Sequence, residues 1–414
     1  MAGGYHAPER ADWARDMAVR ILHFADCHLG YYPAWLGELA ERRVEDFRRT
    51  FARVVDMALD PANAVDLVAI PGDVFEHHAP DDRAVGLVRD QLRKLAERPI
   101  PVVLVPGNHD GIGYTDSVYR REKFPGVTLV TCPQVAKVMQ LSVRGETVHV
   151  YSAALDLSQD VDPLATLQRT NEPGIHVAVL HAAVWANPTW ALREDELPLR
   201  PEQIAASGMH YVVLGHYHHF TEYNEGGVRA VYSGSTEGKD FGECGPRYAV
   251  IAEVGEGGVR VEKRECHTRE LREVTLDLGE HPAASDAEIA AAAAAYATKR
   301  SFVQATQSVA DRLLEQRSDT LLLRVRLTGP ADFVPSVERI ADRLKSAFFH
   351  VEVVDETRLV DGELVRRLCD EPTIRGLFTR KMLERARSAS GGEREAAELG
   401  LKFGLDEFLR QEDG

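Results

Sequence analysis

The chain has 414 residues, with 49 Lys and Arg against 65 Asp and Glu for a formal net charge of -16; that is about two to three average domains in length. Hydrophobic residues at 44% and charged residues at 28% exclude a mostly disordered chain. The acidity argues against a generic polyanion binder, which carries a basic footprint.

Five cysteines (Cys27, Cys132, Cys244, Cys266, Cys369) form no C-x-x-C pair. This excludes a disulfide framework and a thiolate zinc site, and points to a reducing, cytoplasmic compartment. The first residues carry charges where a signal peptide has its apolar core. The longest apolar runs are far too short to span a bilayer, so no membrane association is expected. Of the 16 histidines, 13 precede residue 220.

From about Arg20 to Glu265, short apolar runs alternate with polar, helix-like stretches. The runs at 21–25, 65–70, 101–105, 175–180 and 211–215 are dense in Val, Ile and Leu and short enough to be buried strands. Residues 41–59 read as an amphipathic helix with Val44, Phe47, Phe51, Val54 and Val55 on one stripe, and residues 83–96 read likewise. The alternation predicts an α/β domain over 1–268. After Tyr211 the turns at Asn224–Gly227 and Gly255–Gly258 predict hairpins. A second unit over 269–360 reads as a small β-α-β-α-β, α+β domain: strands near 271–278, 321–327 and 349–354, an Ala-rich helical stretch at 285–316 and a helix at 333–347. A third segment, 361–414, is helical. Ile374, Leu377, Phe378 and Met382 are read as one stripe, and Leu401, Leu405, Phe408 and Leu409 as another, separated by a flexible break at 388–392.

The five apolar runs of the first domain each end in metal-capable side chains. They lead into Asp26-Cys27-His28, Gly72-Asp73, Gly107-Asn108-His109-Asp110, His181, and Gly215-His216-Tyr217-His218. Strand ends of an α/β sheet share one edge, so these groups can converge on one crevice. Alternation along an extended stretch places Asp26 with His28, and His216 with His218. A lone D-x-H or GD pair is common by chance, and a lone strand-terminal His is more often structural. The whole series, in this order and each at the exit of an apolar run, is not common.

The candidate ligands are carboxylates, imidazoles and one amide oxygen. Seven ligands exceed the need of one ion, so two divalent ions sharing a carboxylate fit better. Such a pair stabilises the attacking and leaving oxygens of a phosphoryl displacement. The hard, N/O-rich set suits manganese, with zinc and iron open on ligand type alone.

D-x-H, GD, GNHD, H and GH-x-H in series resemble the calcineurin-like metallophosphoesterase superfamily over residues 20–265. Asp26–Gly30, Arg43 with Glu45-Asp46-Phe47, Gly72–Phe75 and Tyr232–Glu243 are similar to the SbcD-type nucleases of bacterial SbcCD-type repair complexes. The resemblance implies a metallophosphoesterase β-sandwich flanked by helices, a capping domain and C-terminal helices. It implies Asp26, His28, Asp73 and His218 as ligands of one metal. Asp73, Asn108, His181 and His216 would hold the other, with Asp73 bridging. His109 would be the catalytic histidine, neutralising charge or protonating the leaving oxygen. Asp110 is read either as an orienter of His109 or as a turn residue. The role of Glu76 is left open; His77 and His78 are read as a solvated loop, and Cys27 as a small buried neighbour.

The activity so implied is two-metal hydrolysis of DNA phosphodiesters within an SbcCD-like double-strand-break repair complex, with DNA and an SbcC-like coiled-coil ATPase as partners. The C-terminal helices would dock the ATPase, and helices 41–59 and 83–96 would support a homodimer. The alternative is a phosphodiesterase or phosphatase of the same superfamily acting on nucleotides or other small phosphoesters. It is disfavoured because Asp73 is followed by Val-Phe-Glu-His rather than the phosphatase x-x-D-R, and Asn108-His109 by Asp110 rather than Glu. A purely scaffolding protein is disfavoured because every ligand position holds a competent residue. For DNA contact, Lys239 and Arg247 are the better placed candidates. The cluster Arg375, Arg380, Lys381, Arg385 and Arg387 reads as a solvated face.

Overall fold

The computed structural model describes residues 18–156, 160–186, 193–277, 318–329, 335, 337–357 and 363–412, with positions 287 and 289 besides. The Ala-rich stretch at 285–316 otherwise lies outside the described residues, as does the start of the helix expected from 333. The chain divides into two compact units, Met1–Thr268 and Arg269–Gly414.

The first unit is built on two six-stranded sheets. The apolar runs form β1 (Val19–His23), β2 (Leu67–Pro71), β3 (Val102–Val105), β4 (Ile175–His181) and β5 (Tyr211–Gly215). In β2 to β5 every residue is buried, as expected of strands covered on both faces. The first sheet runs Gly258–Glu265, Tyr248–Gly255, β1, β2, β3, Val127–Leu129, with β1, β2 and β3 parallel. The second runs Thr221–Glu225, Val228–Tyr232, β5, β4, Glu146–Ser152, Ala136–Val143, with β4 and β5 parallel. Strands β2 and β3 pack face to face on β4, and β2 on β5, so the unit is a sandwich. Both expected hairpins form, at 221–232 and 248–265.

Helix α1 (Ala40–Leu59) buries Val44, and packs Phe47, Phe51, Val54 and Val55 into the first sheet's core. Helix α2 (Asp82–Glu97) buries Val85, Val88, Leu92 and Leu95, and is capped by Asp81, whose carboxylate accepts from Ala84 N at 2.7 Å. Each such fully buried side chain contributes about 1.5–3 kcal/mol relative to exposure. His23 ties the sheets together at the end of β1. Its Nε2 donates to the Leu214 carbonyl of β5 at 3.0 Å, and its Nδ1 accepts from the Tyr211 hydroxyl at 3.2 Å.

In the second unit β6 (Glu270–Asp277), β7 (Ser318–Thr328) and β8 (Phe348–Asp355) form a parallel sheet with β7 in the middle. Helix α3 (Val337–Leu344) packs on β8. Helices α4 (Glu363–Cys369), α5 (Ile374–Ser388) and α6 (Gly392–Glu412) follow. Val365, Leu368, Leu383, Leu401 and Leu405 share one core with Leu323, Val325, Val351 and Val353 of the sheet. The four-residue stripe expected on α5 is split. The face that is buried carries Gly376, Thr379, Leu383 and Ala386, while Ile374 and Leu377 are 79% and 50% exposed. Phe378 turns sideways onto Phe408 of α6, ring to ring at 5.7 Å.

Candidate functional site

Each of the five strand ends delivers its expected side chain, and two sheets contribute: β1, β2 and β3 from one, β4 and β5 from the other. The sandwich brings three sets together, Asp26 with His28 and His218, Asp26 with Asp73 and His181, and His28 with Glu76 and His109. In each set the ligand atoms lie within 4.8 Å of one another. Asp73 Oδ2 sits between the first two sets, 4.0 Å from His28 Nε2 and 3.6 Å from His181 Nε2. Asn108 joins through Oδ1, 2.9 Å from His181 Nε2. His216 is stacked edge-on against His181 at 5.2 Å, and its amide donates to both oxygens of Asp26 at 3.1 Å.

The mechanism of convergence differs from simple strand alternation. β1 ends at His23, and Asp26 and His28 occupy left-handed backbone at φ 52° and 46°. Asp73 at φ 50° and His216 at φ 113° do the same. Such conformations cost on the order of 1–3 kcal/mol each for residues other than glycine, and persist only where the surroundings enforce them. His216 and His218, expected side by side, go to different neighbours: His216 to His181, and His218 to His28 at 3.1 Å between Nε2 atoms. Crowding fixes the glycines beside them. A Cβ on Gly107 would stand 2.0 Å from Asp73 Oδ1, and one on Gly72 2.3 Å from His181 Nδ1.

The hydrogen bonds orient each ring. His181 Nδ1 donates to the Pro71 carbonyl at 2.9 Å, so its Nε2 lone pair faces the Asn108 oxygen. His218 Nδ1 donates to Glu243 Oε1 at 2.6 Å, leaving its Nε2 lone pair toward His28. His28 Nδ1 lies 2.8 Å from Glu76 Oε2, though not aligned for a hydrogen bond, and its Nε2 faces His218. A neutral imidazole has one N–H. In the neutral His181 ring the Nε2 lone pair thus meets the Asn108 oxygen, an arrangement that a cation satisfies.

Burial pushes the Asp26 carboxyl up to about 7, against the pull of His218 and His181. Asp73 is equally buried, but His181, His28 and His109 hold it below the usual carboxylate range. Burial holds His28 down at about 4. Burial works against charge on His181 too, yet Asp73 and Asp26 outweigh it and raise its pKa. Two buried carboxylates, four imidazoles and an amide oxygen form a hard donor set that fits divalent ions.

His109 stands at the margin, half-buried. Its amide donates to Asp73 Oδ1 at 3.0 Å and its Nδ1 donates to the Glu76 carbonyl at 3.1 Å. Asp110 does not orient the His109 ring. Its carboxylate accepts from Gly107 N, Phe75 N and Tyr119 Oη at 2.7, 3.1 and 2.7 Å, which is the turn role. Cys27 is 1% exposed, and burial pushes its thiol up, so it is an inert neighbour. Arg247 is not available to DNA: it is 3% exposed, and its guanidinium binds the carbonyls of His218, Glu243 and Cys244. Lys239 is paired with both oxygens of Glu76 at 2.9 and 2.8 Å.

Three acids escaped the sequence reading. Glu243 holds His218, Glu196 Oε1 is 3.3 Å from His216 Nε2, and Asp195 Oδ2 accepts from Asn108 Nδ2 at 3.2 Å. Carboxylates behind ligating groups fix ring orientation and raise basicity. Glu243 sits at the end of the Tyr232–Glu243 tract, which was a usable signal; Asp195 and Glu196 have none, because only the fold brings their loop to the site.

Residues 19–220 match the family described as calcineurin-like phosphoesterase. The chain is 26% identical over 354 residues to the DNA double-strand break repair protein Mre11 of Methanosarcina mazei, covering 84% of this chain and 51% of that protein. It is 24% identical over 253 residues to the SbcD component of the nuclease SbcCD from Staphylococcus epidermidis, covering 54% of this chain and 63% of that one. A solved dimetal phosphatase from Danio rerio aligns with a TM-score of 0.40 and 12% identity, covering 60% of this chain and 96% of that one. The chain thus spans about half the length of the Methanosarcina mazei relative.

Proposed function

We propose, from the premise that this chain carries a calcineurin-like metallophosphoesterase domain, that it is a DNA nuclease hydrolysing phosphodiester bonds with two divalent ions, manganese best among them. The observation that carries this reading is the convergence of carboxylate, imidazole and amide donor atoms at the five strand ends, within 4.8 Å of one another in each of three sets. Asp26, His28, Asp73 and His218 would hold one ion, and Asp73, Asn108, His181 and His216 the other. The position of Asp73 between His28 and His181 supports a bridging role. When bound, the ions supply positive charge to phosphoryl oxygens and acidify water.

The chain's own residues do the rest. The Glu76 carbonyl fixes Nδ1–H of His109, which leaves Nε2 as the atom that holds or delivers a proton to a leaving oxygen. Asp195, Glu196, Glu243 and the Glu76–Lys239 pair orient the ligands. The net charge of -16 sets long-range repulsion of DNA, so tight engagement depends on divalent metal and on a partner.

The names of the relatives support membership in an SbcCD-like double-strand-break repair assembly. We take the partner to be an SbcC-like coiled-coil ATPase. It would dock on the α5–α6 hairpin, where Ile374, Leu377, Leu399 and Phe403 are exposed large apolar residues. Among the described residues no helix is long and apolar enough to cross a membrane. A homodimer through α1 and α2 is part of the proposal, and a monomeric mass in solution counts against it.

The deciding experiment is incubation of the protein with labelled double-stranded DNA and manganese, beside Asp73→Asn and a chelated control. Cleavage that both controls abolish is expected. DNA left intact while small phosphodiesters are hydrolysed rapidly refutes the nuclease reading in favour of a small-phosphoester hydrolase.

A further inference from the structure

We propose that Tyr114, backed by His78, is a stacking platform for an unpaired nucleobase next to the scissile phosphate. The inference rests on the nuclease reading above and names the substrate form that this site prefers: a single-stranded or frayed end.

Tyr114 is 51% exposed. It lies parallel to the His78 imidazole, with centroids 3.9 Å apart and planes 9° from coplanar. His78 is fixed in turn, its Nε2 3.3 Å from Asp116 Oδ1. The His78 carbonyl accepts from Val118 N at 2.7 Å, which docks the loop at 111–117 on the segment that follows Glu76. With one ring face against His78, the exposed area lies on the other face and the edge.

The pair belongs to the rim of the metal group. His78 follows Glu76 by two residues, and the Glu76 carbonyl holds His109 Nδ1. Tyr114 follows His109 by five. A Cβ on Gly111 would lie 3.6 Å from the Tyr114 ring, 3.4 Å from the Gly107 carbonyl oxygen and 3.8 Å from that of Asn108. Gly111 thus lies between the edge of the phenol and the turn that carries Asn108 and His109.

A flat, neutral, pre-oriented ring with one open face stacks on a base; its hydroxyl is the one group it offers a phosphate, and the Asp116 carboxylate beside His78 repels one. Bases inside a duplex have both faces covered by their neighbours, so only an unpaired base can use the ledge. The exposed Arg121 and Lys123 on the same segment are placed for the backbone of such a strand.

The test is fluorescence anisotropy of the full chain with a short labelled single-stranded DNA and with the same strand made abasic, using calcium as the divalent ion. Wild type is expected to favour the base-bearing strand about tenfold. Tyr114→Ala should erase that preference, Tyr114→Trp should keep it, and His78→Ala should weaken it. A preference that survives in Tyr114→Ala, or that is absent in wild type, overturns the platform. Cleavage with manganese is read separately. A wild type that shows the Tyr114-dependent preference but leaves DNA uncut sinks the nuclease reading alone. One that cuts DNA while Tyr114→Ala keeps the preference sinks the platform alone.

Discussion

The rim of the sandwich and the α5–α6 hairpin solve opposite problems. At the rim, charged and polar groups are buried: Asp26, His28 and Asp73 are 0–1% exposed and held in left-handed backbone. On the hairpin, apolar groups are exposed: Ile374 at 79% and Phe403 at 65%. The first region is costly within the fold and is maintained by a specific network; the second is costly only while nothing covers it. Strain and buried charge mark where ligands are held, whereas uncovered apolar area marks where a surface is presented.

The largest expected effect lies in the network behind the rim. Arg43 of α1 is 1% exposed and donates to Glu237 Oε2 at 2.6 Å and to the Gly238 carbonyl at 2.7 Å. Glu237, fully buried, also accepts from Thr50 Oγ1 at 2.5 Å and from Thr268 N. Removing one partner strands the other charge in the core. Glu237→Ala should destabilise the first unit by about 3–5 kcal/mol, measured by denaturant unfolding. The Glu237→Ala/Arg43→Met double variant should recover part of that loss. A loss under about 1 kcal/mol would place this pair with ordinary surface ion pairs and dissolve the contrast.

Next in size is pH. Burial holds the His23 pKa at about 3, below its ordinary 6.5. Between those values the unfolded chain binds a proton that the folded chain refuses. The contribution of His23 is therefore complete above pH 6.5 and is lost as pH falls toward 3. At pH 5 the loss is about 2 kcal/mol. His23→Gln should flatten the slope of unfolding free energy against pH between 6 and 4 by about that amount. An unchanged slope would show that His23 is not the buried neutral group that links the sheets.

A smaller effect separates orientation from ligation. Glu243→Gln keeps the shape of the carboxylate on His218 Nδ1 but removes its charge. Metal affinity, read by calorimetry, should fall about 10–100-fold without loss of fold. An unchanged affinity would reduce Glu243 to a structural contact with Ser235 and His218.

Most of the rim was readable in the sequence because residue type is itself the signal there. Carboxylates and imidazoles at the ends of five Val-rich runs have few other reasons to be where they are. What the sequence did not carry was the left-handed backbone that turns Asp26, His28, Asp73 and His216 toward one another. Strand alternation places His216 and His218 on one side, and the family resemblance assigns them to different metals; they do go to different neighbours, with His216 in left-handed backbone at φ 113° rather than in an extended strand. Asp195 and Glu196 reach Asn108 and His216 across the fold, with more than 80 residues between Asp195 and Asn108 in the chain. The hairpin shows the converse limit. A 3.6-residue period finds an apolar stripe, yet it does not say which apolar residues the core takes: Leu383 is buried, whereas Leu377, six positions earlier, is half exposed.

The smallest expected effect lies on the exposed face of this hairpin. Ile374 and Leu377 lie one turn apart on α5, and Leu399 and Phe403 one turn apart on α6. All four fall away from the Thr379, Leu383, Leu401 and Leu405 side. Since no core contact is at stake, Ile374→Asp or Phe403→Asp should change stability of the isolated chain by no more than about 0.5 kcal/mol. The same substitutions should abolish co-purification with a co-expressed SbcC-like ATPase, because each buries an unpaired carboxylate in the docked state. A stability loss above about 2 kcal/mol in the isolated chain would mean that this face is packed within the protein itself. The hairpin would then be a region of buried contacts like the rim, and the contrast between presenting a surface and enclosing a site would fail.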